Sequence, residues 1–237
     1  MRRPDVLHIL RDPLRHARFM LRTGSRSASP PILCPSIGRV GSTLLWQSLV
    51  TSRARAVLGD YRPSDWKRVS RSEWDLANAR FTAGTVCKTH DFPYALDLSQ
   101  PLRIVFLFGR PSDVVLSVLR CEQTKGMDWI EDHLRHMHAR EPYHRIADQD
   151  VLRLEEQVDA WRALRGADIA CFSYDKLWDN RLLLEDFVGF PVKLPPRIER
   201  SFDDLPAETV SRVRASYAAL DGRIGALPGS QIIRRAG

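Results

Sequence analysis

The 237 residues are 43% hydrophobic and 27% charged, the balance of an ordinary soluble chain long enough for one sizeable core. No apolar run approaches the ~18 residues that span a bilayer, and Arg11, Asp12, Arg15 and Arg18 interrupt any signal-peptide core. The net charge of +7 does not point to nucleic acid, because residues 1–30 hold seven arginines against Asp5 and Asp12 and the remainder is nearly balanced. Cys34, Cys87, Cys121 and Cys171 are far apart and form no Cys-x-x-Cys pair. They read as reduced core residues, which suits a cytoplasmic location and gives no zinc spacing.

In chain order, residues 1–30 form a basic arm in which Val6, Leu7, Ile9, Leu10, Leu14, Phe19 and Leu21 sit among the arginines. Pro13 is expected to break any continuous helix there. The arm suits packing on the domain, the favoured arrangement, or peripheral contact with an anionic membrane. Ser25 to Pro31 reads as a linker to an α/β domain over 31–237.

That domain opens with a buried strand from Ile32, a tight turn over Gly38 to Gly41, and a helix from Ser42. Such a turn builds an anion cradle. Helix-start N–H groups are unpaired, the helix dipole is positive there, and glycine lets backbone approach an oxyanion. The donors would be the N–H groups of Val40, Gly41, Ser42 and Thr43 with both hydroxyls, and Arg39 would supply the cation. A Walker A loop would carry lysine where Ser42 stands.

Arg55–Leu58 reads as a second strand, and residues 60–83, with Trp66 and Trp74, as an irregular or short-helix insertion. Gly84 to His90 reads as a third strand running into a loop, and Leu102–Phe108 as a fourth. Helices follow over Ser112–Thr124, 127–142 and Val151–Leu164, then a strand over Ala167–Tyr174. Leu177–Val188 is a helix ended by Gly189, and Pro206–Ile224 is the last helix. Alternating strands and helices predict one α/β domain with a largely parallel central sheet and helices on both faces. Ligands in such sheets sit beyond the C-terminal strand ends, where the cradle and His90 both fall. An imidazole there suits a general base, since it titrates near working pH, although a lone histidine after a strand is more often a surface residue. His133, His136, His138 and His144 read as a solvated helix face before a metal site.

Three stretches taken together resemble PAPS-dependent sulfotransferases. Gly38-Arg39-Val40-Gly41-Ser42-Thr43 resembles their Pro-Lys-Ser-Gly-Thr-Thr loop, with Gly38 for the proline and Arg39 for the lysine. Cys87-Lys88-Thr89-His90-Asp91-Phe92-Pro93 resembles Lys-Thr-His-x-x-Pro. The resemblance implies His90 as general base and Lys88 as stabiliser of the transferring sulfuryl group. In 102–117, Pro111, Asp113 and Ser117 match the Arg-x-Pro-x-Asp motif and its following serine. Gly109 stands where the family arginine sits and Arg110 comes one position later, so the implied 3′-phosphate pair is Ser117 with a displaced Arg110. Fainter likenesses cover Phe172–Leu177, where Tyr174 would anchor the sheet, and Leu184–Pro191. The late Arg-Lys-Gly segment is missing, and Arg234-Arg235-Ala236-Gly237 lies too near the end to replace it.

The resemblance implies in-line sulfuryl transfer from PAPS to an acceptor hydroxyl, with no metal required and no nucleic-acid partner. The acceptor would be a small molecule, a glycan or a lipid-linked hydroxyl, with Trp66, Trp74 and Trp129 either stacking on it or packing in the core. Two alternatives stay open: a nucleotide-dependent kinase, for which Asp91 and Asp113 are poor metal ligands by position, and a PAP-binding module without turnover.

Overall fold

The structure, a computed structural model, describes residues 6–24 and 28–234, with side chains from Pro13 onward. Ser25–Ser27 of the expected linker and Arg235–Gly237 lie outside the described residues, as do the side chains of Val6, Leu7, Ile9 and Leu10.

The chain runs α1 (Val6–Thr23), β1 (Ile32–Pro35), α2 (Ser42–Leu58), α3 (Trp66–Val69), β2 (Ser70–Ser72), β3 (Val86–Thr89) and β4 (Arg103–Phe108). It continues with α4 (Pro111–Lys125), α5 (Met127–His136), α6 (Leu154–Ala163), β5 (Ile169–Ser173), α7 (Arg181–Val188), α8 (Ala207–Ser216), α9 (Ala218–Gly225) and β6 (Ser230–Ile233). The strands form one six-stranded sheet in the order β2-β3-β1-β4-β5-β6. It is parallel from β2 to β5, and β6 closes it antiparallel to β5. Ile32 pairs with Val86 on one side and Arg103 on the other, so β1 is central and the chain's excursions diverge from it. A crevice opens at such a switch point, beyond the C-terminal strand ends.

The apolar runs of β1 and β4 follow from burial on both sheet faces. Ile104, Val105 and Phe106 are fully buried. Trp161 of α6, also fully buried, lies 6.2 Å from the Phe106 ring and donates from Nε1 to the Asp91 carbonyl at 3.1 Å. That contact ties α6 to the segment just beyond β3.

Several boundaries differ from expectation. Arg55–Leu58 is the last turn of α2, not a strand: Ala54, Val57 and Leu58 are buried at helical spacing and Gly59 (φ 93°) ends the helix. A four-residue apolar run has too little periodicity to separate the two. Pro13 lies inside α1 and does not end it. Proline forfeits one hydrogen bond there, and the packing of the turns that follow offsets the loss. The expected final helix is two, α8 and α9, broken at Tyr217, whose hydroxyl donates to the Ile146 carbonyl at 2.9 Å. The helix expected over 127–142 stops at His136, with His138 at φ 52°. β2 and β6 have no strand signature in the sequence, being short edge strands with polar residues.

α1 is fastened to the domain by one face. Phe19 is buried, and Arg15 donates from Nε and Nη2 to both Asp65 carboxylate oxygens at 2.7 Å. Asp65 is fully buried, with Arg68 at 3.1 Å and the Arg62 N–H at 2.8 Å completing its shell. Asp65→Ala removes the buried carboxylate that joins Arg15, Arg68 and the Arg62 N–H, and should cost about 3 kcal/mol in urea unfolding. A loss under about 0.5 kcal/mol would mean that α1 is held by apolar contacts alone.

Candidate active site

The β1–α2 turn is left-handed at Gly38 (φ 71°), Arg39 (φ 48°) and Gly41 (φ 80°). Gly41 is the N-cap of α2, so Ser42 is the first helical residue and neither hydroxyl caps the helix. A Cβ on Gly41 would stand 2.5 Å from the Tyr174 ring, which makes glycine obligatory. One on Gly38 would meet His133 and Met137 at 3.1 Å, so α5 packs directly on the turn. Val40 is fully buried beneath the turn. The first-turn N–H groups of α2 have no partner within their own helix.

This turn borders a cleft of about 640 Å³ at the C-terminal strand ends. Arg39, Gly41, Ser42, Thr43, Lys88, His90 and Ser117 all line it. Lys88 Nζ donates to Thr43 Oγ1 at 2.8 Å, joining the end of β3 to the glycine turn. Arg39 Nε donates to Ser117 Oγ at 3.0 Å, joining the turn to α4. Arg110 does not join them. It is the exposed N-cap of α4 and is not part of the cleft lining.

A late cation enters instead. Arg200 lines the cleft and donates from Nη2 to the Arg39 carbonyl at 2.7 Å, with its guanidinium 4.6 Å over the Tyr174 ring. The Tyr174 hydroxyl donates to the Ile198 carbonyl at 3.1 Å, and Arg120 of α4 holds the Ser201 carbonyl and the Asp204 carboxylate. Tyr174 therefore clamps the late segment to the turn in addition to packing at the end of β5. Burial lowers the Arg200 pKa, partly offset by Asp113. Arg39, Lys88, Arg120, Lys125 and Arg200 line the cleft against a single carboxylate, Asp132. Such a surface attracts a multiply charged anion.

His90 is buried, with Nδ1 at 3.0 Å from both the carbonyl and the hydroxyl of Ser36. A carbonyl only accepts, so Nδ1 carries the proton and Nε2 keeps the lone pair. Gln157 donates to the His90 carbonyl and fixes the residue further. Burial, then Lys88 and His133, push the His90 pKa from 6.5 down to about 3. The titration near working pH expected from the sequence is thereby displaced: the ring is a neutral base throughout the ordinary pH range. His133 behaves alike, pushed to about 3 by burial and then by Arg39 and His136, and its Nε2 is buried with no hydrogen-bond partner among the described residues.

The histidine stretch is more than a solvated face. Trp74 stacks on His136 at 4.4 Å and Trp129 on His133 at 4.8 Å, and all four residues line the cleft. Trp66 packs edge-on to Trp46 at 4.8 Å and is not part of the lining. Asp91 accepts the Leu76 and Phe92 N–H groups, both at 2.7 Å, and also meets His138 at 2.7 Å. Asp113 pairs with Arg214 at 2.5 Å. Arg234 lies near Asp168 at 3.5 Å, away from the cleft lining. The four cysteines are free and buried.

No protein-family model matches the chain, and no curated protein matches it either. Among the described residues, no helix is long and apolar enough to cross a membrane.

The two buried neutral histidines give a stability signature. Unfolded, each takes a proton near pH 6.5; folded, each resists until about pH 3. Their contribution is complete above pH 6.5 and is lost as pH falls through that window, at up to about 1.4 kcal/mol per pH unit for each ring. His133→Asn should remove one ring's share of the slope in urea titrations between pH 6 and 4. An unchanged slope would mean that His133 protonates equally in both states.

Proposed function

We propose that the protein is a sulfotransferase that moves a sulfuryl group from PAPS to an acceptor hydroxyl. The observation that carries this reading is the Lys88–Thr43 contact of 2.8 Å, which brings the glycine turn and the Lys-Thr-His strand end to one cleft. Two stretches read separately as a 5′-phosphosulfate loop and a base-bearing motif thus share one site.

PAPS would supply an activated sulfuryl group whose transfer leaves PAP. In this reading the N–H groups of Val40, Gly41, Ser42 and Thr43 hold the 5′-phosphosulfate together with both hydroxyls and Lys88. Lys88 also offsets charge growing on the transferring group, as preorganised cations do in phosphoryl transfer. The 3′-phosphate falls to Ser117 with Arg39, and Arg200 supplies the cation that Arg110, turned outward, does not. The nucleoside would leave the turn past Leu44, which lines both the cleft and a second groove that Leu194 also lines. His90 takes the acceptor proton at Nε2, held in the correct tautomer by Ser36. The acceptor lies between the Trp74–His136 and Trp129–His133 stacks, which suit the face of a sugar or aromatic ring. A kinase would need a carboxylate turned to the turn, and Asp91 and Asp113 are both engaged elsewhere.

The test is transfer of labelled sulfate from PAPS to a panel of phenols, sugars and glycolipids, followed in a single turnover. His90→Ala should lower the rate roughly 10²–10⁴-fold with PAP affinity nearly unchanged. The acidic limb of the wild-type profile should fall near pH 3, where His90 titrates, and not near 6.5. PAP binding with no transfer to any hydroxyl would instead identify a binding module without turnover. Wild-type rates in His90→Ala would make the histidine a bystander.

A further inference from the structure

α1 holds the domain with one face and leaves the opposite face bare. Phe19 and Thr23 are buried, 2% and 1% exposed, and point inward. Successive helical residues turn about 100°, so Leu14, Ala17 and Leu21 form a stripe on the far side from Phe19 and Thr23. Leu14 is 71% exposed and Leu21 83% exposed, the two most exposed large apolar side chains of this helix. Arg18, exposed, borders the stripe. The arginines of α1 thus divide their work. Arg15 is tied to Asp60 and Asp65, and Arg22 donates to the Val57 carbonyl at 2.9 Å, whereas Arg18 makes no hydrogen bond or ion pair among the described residues.

We propose that this outer face of α1 docks the protein on an anionic lipid surface. A helix that is too charged to span a bilayer, with an apolar stripe flanked by arginine, lies in the plane of the interface. Leu14 and Leu21 enter the boundary between headgroups and acyl chains, and Arg18 stays at the depth of the lipid phosphates. Charge complementarity selects this occupant, because residues 1–30 carry seven arginines and two aspartates. A second copy of the chain would set the same arginine-rich segment against itself. Packing on the domain and contact with a membrane are therefore not alternatives for this segment: each uses a different face of one helix. The inference stands independently of the proposed sulfuryl transfer.

Cosedimentation of the full chain with vesicles tests it, using phosphatidylcholine alone and phosphatidylcholine with about a quarter phosphatidylglycerol. The chain should sediment with the anionic vesicles only, and added salt should release it. Leu14→Glu/Leu21→Glu should lower partitioning by roughly ten-fold or more, and Arg18→Gln by roughly five-fold. All three positions are exposed, so the thermal melt should not change. Equal sedimentation with both vesicle types, or unchanged partitioning of the double variant, would overturn the proposal. So would a concentration-dependent dimer in light scattering that the double variant dissolves, since the face would then serve self-association.

Discussion

The backbone of the β1–α2 turn, left-handed at Gly38, Arg39 and Gly41, is the constraint on which the cleft depends. It is fixed from three sides. Gly41 lies against the Tyr174 ring with no room for a Cβ, Gly38 lies against His133 and Met137, and the Arg39 carbonyl accepts from Arg200. A non-glycine residue at φ 48° is uncommon, and the Arg200 contact helps to hold it. Because Tyr174 and Arg200 both press on the turn, the end of β5 and the segment around residue 200 form one unit with it. The turn that opens α2 is thereby held with little freedom to move.

The same crowding sets the electrostatics. Lys88 and Arg39 stand close enough to depress each other's neighbours: Lys88 is lowered by burial and then by Arg39, and His90 by burial and then by Lys88. Five cations facing one carboxylate form a cleft that is electrostatically incomplete by itself. A bound polyanion would offset only the Lys88 share of the His90 depression; burial, the larger cause, remains, so the ring stays neutral with anion bound as well. Ser36 contributes independently of charge, since its carbonyl fixes the tautomer in both conditions.

The central strands β1 and β4 were legible because burial on both faces leaves apolar runs in them. The edges were not: Ser70–Ser72 and Ser230–Ile233 pair through backbone alone on one side, and their side chains carry no period-two signal. Arg55–Leu58 misled because four residues of a helix end and of a strand look alike. At the cleft, Arg39 and His90 could be found from their places just after β1 and β3, and Lys88 and Ser117 from the resemblance of the stretches that hold them. Arg200 could not. Its place depends on Tyr174 reaching Ile198 and Arg120 reaching Asp204, contacts made across 24 and 84 residues of sequence. Arg110 shows the reverse limit, because proximity to a motif did not bring an exposed N-cap side chain into the cleft. The depressed histidine pKa values were equally hidden, since they arise from burial by α5 and the turn together.

Calorimetric titration with PAP, 5′-AMP and ATP, each with and without Mg²⁺, addresses the central claim that this cleft holds a 3′-phosphorylated nucleotide. PAP should bind without metal and at least roughly ten-fold tighter than 5′-AMP, about 1.4 kcal/mol from the extra phosphate. Binding of ATP only with Mg²⁺, or PAP binding no tighter than 5′-AMP, would contradict it.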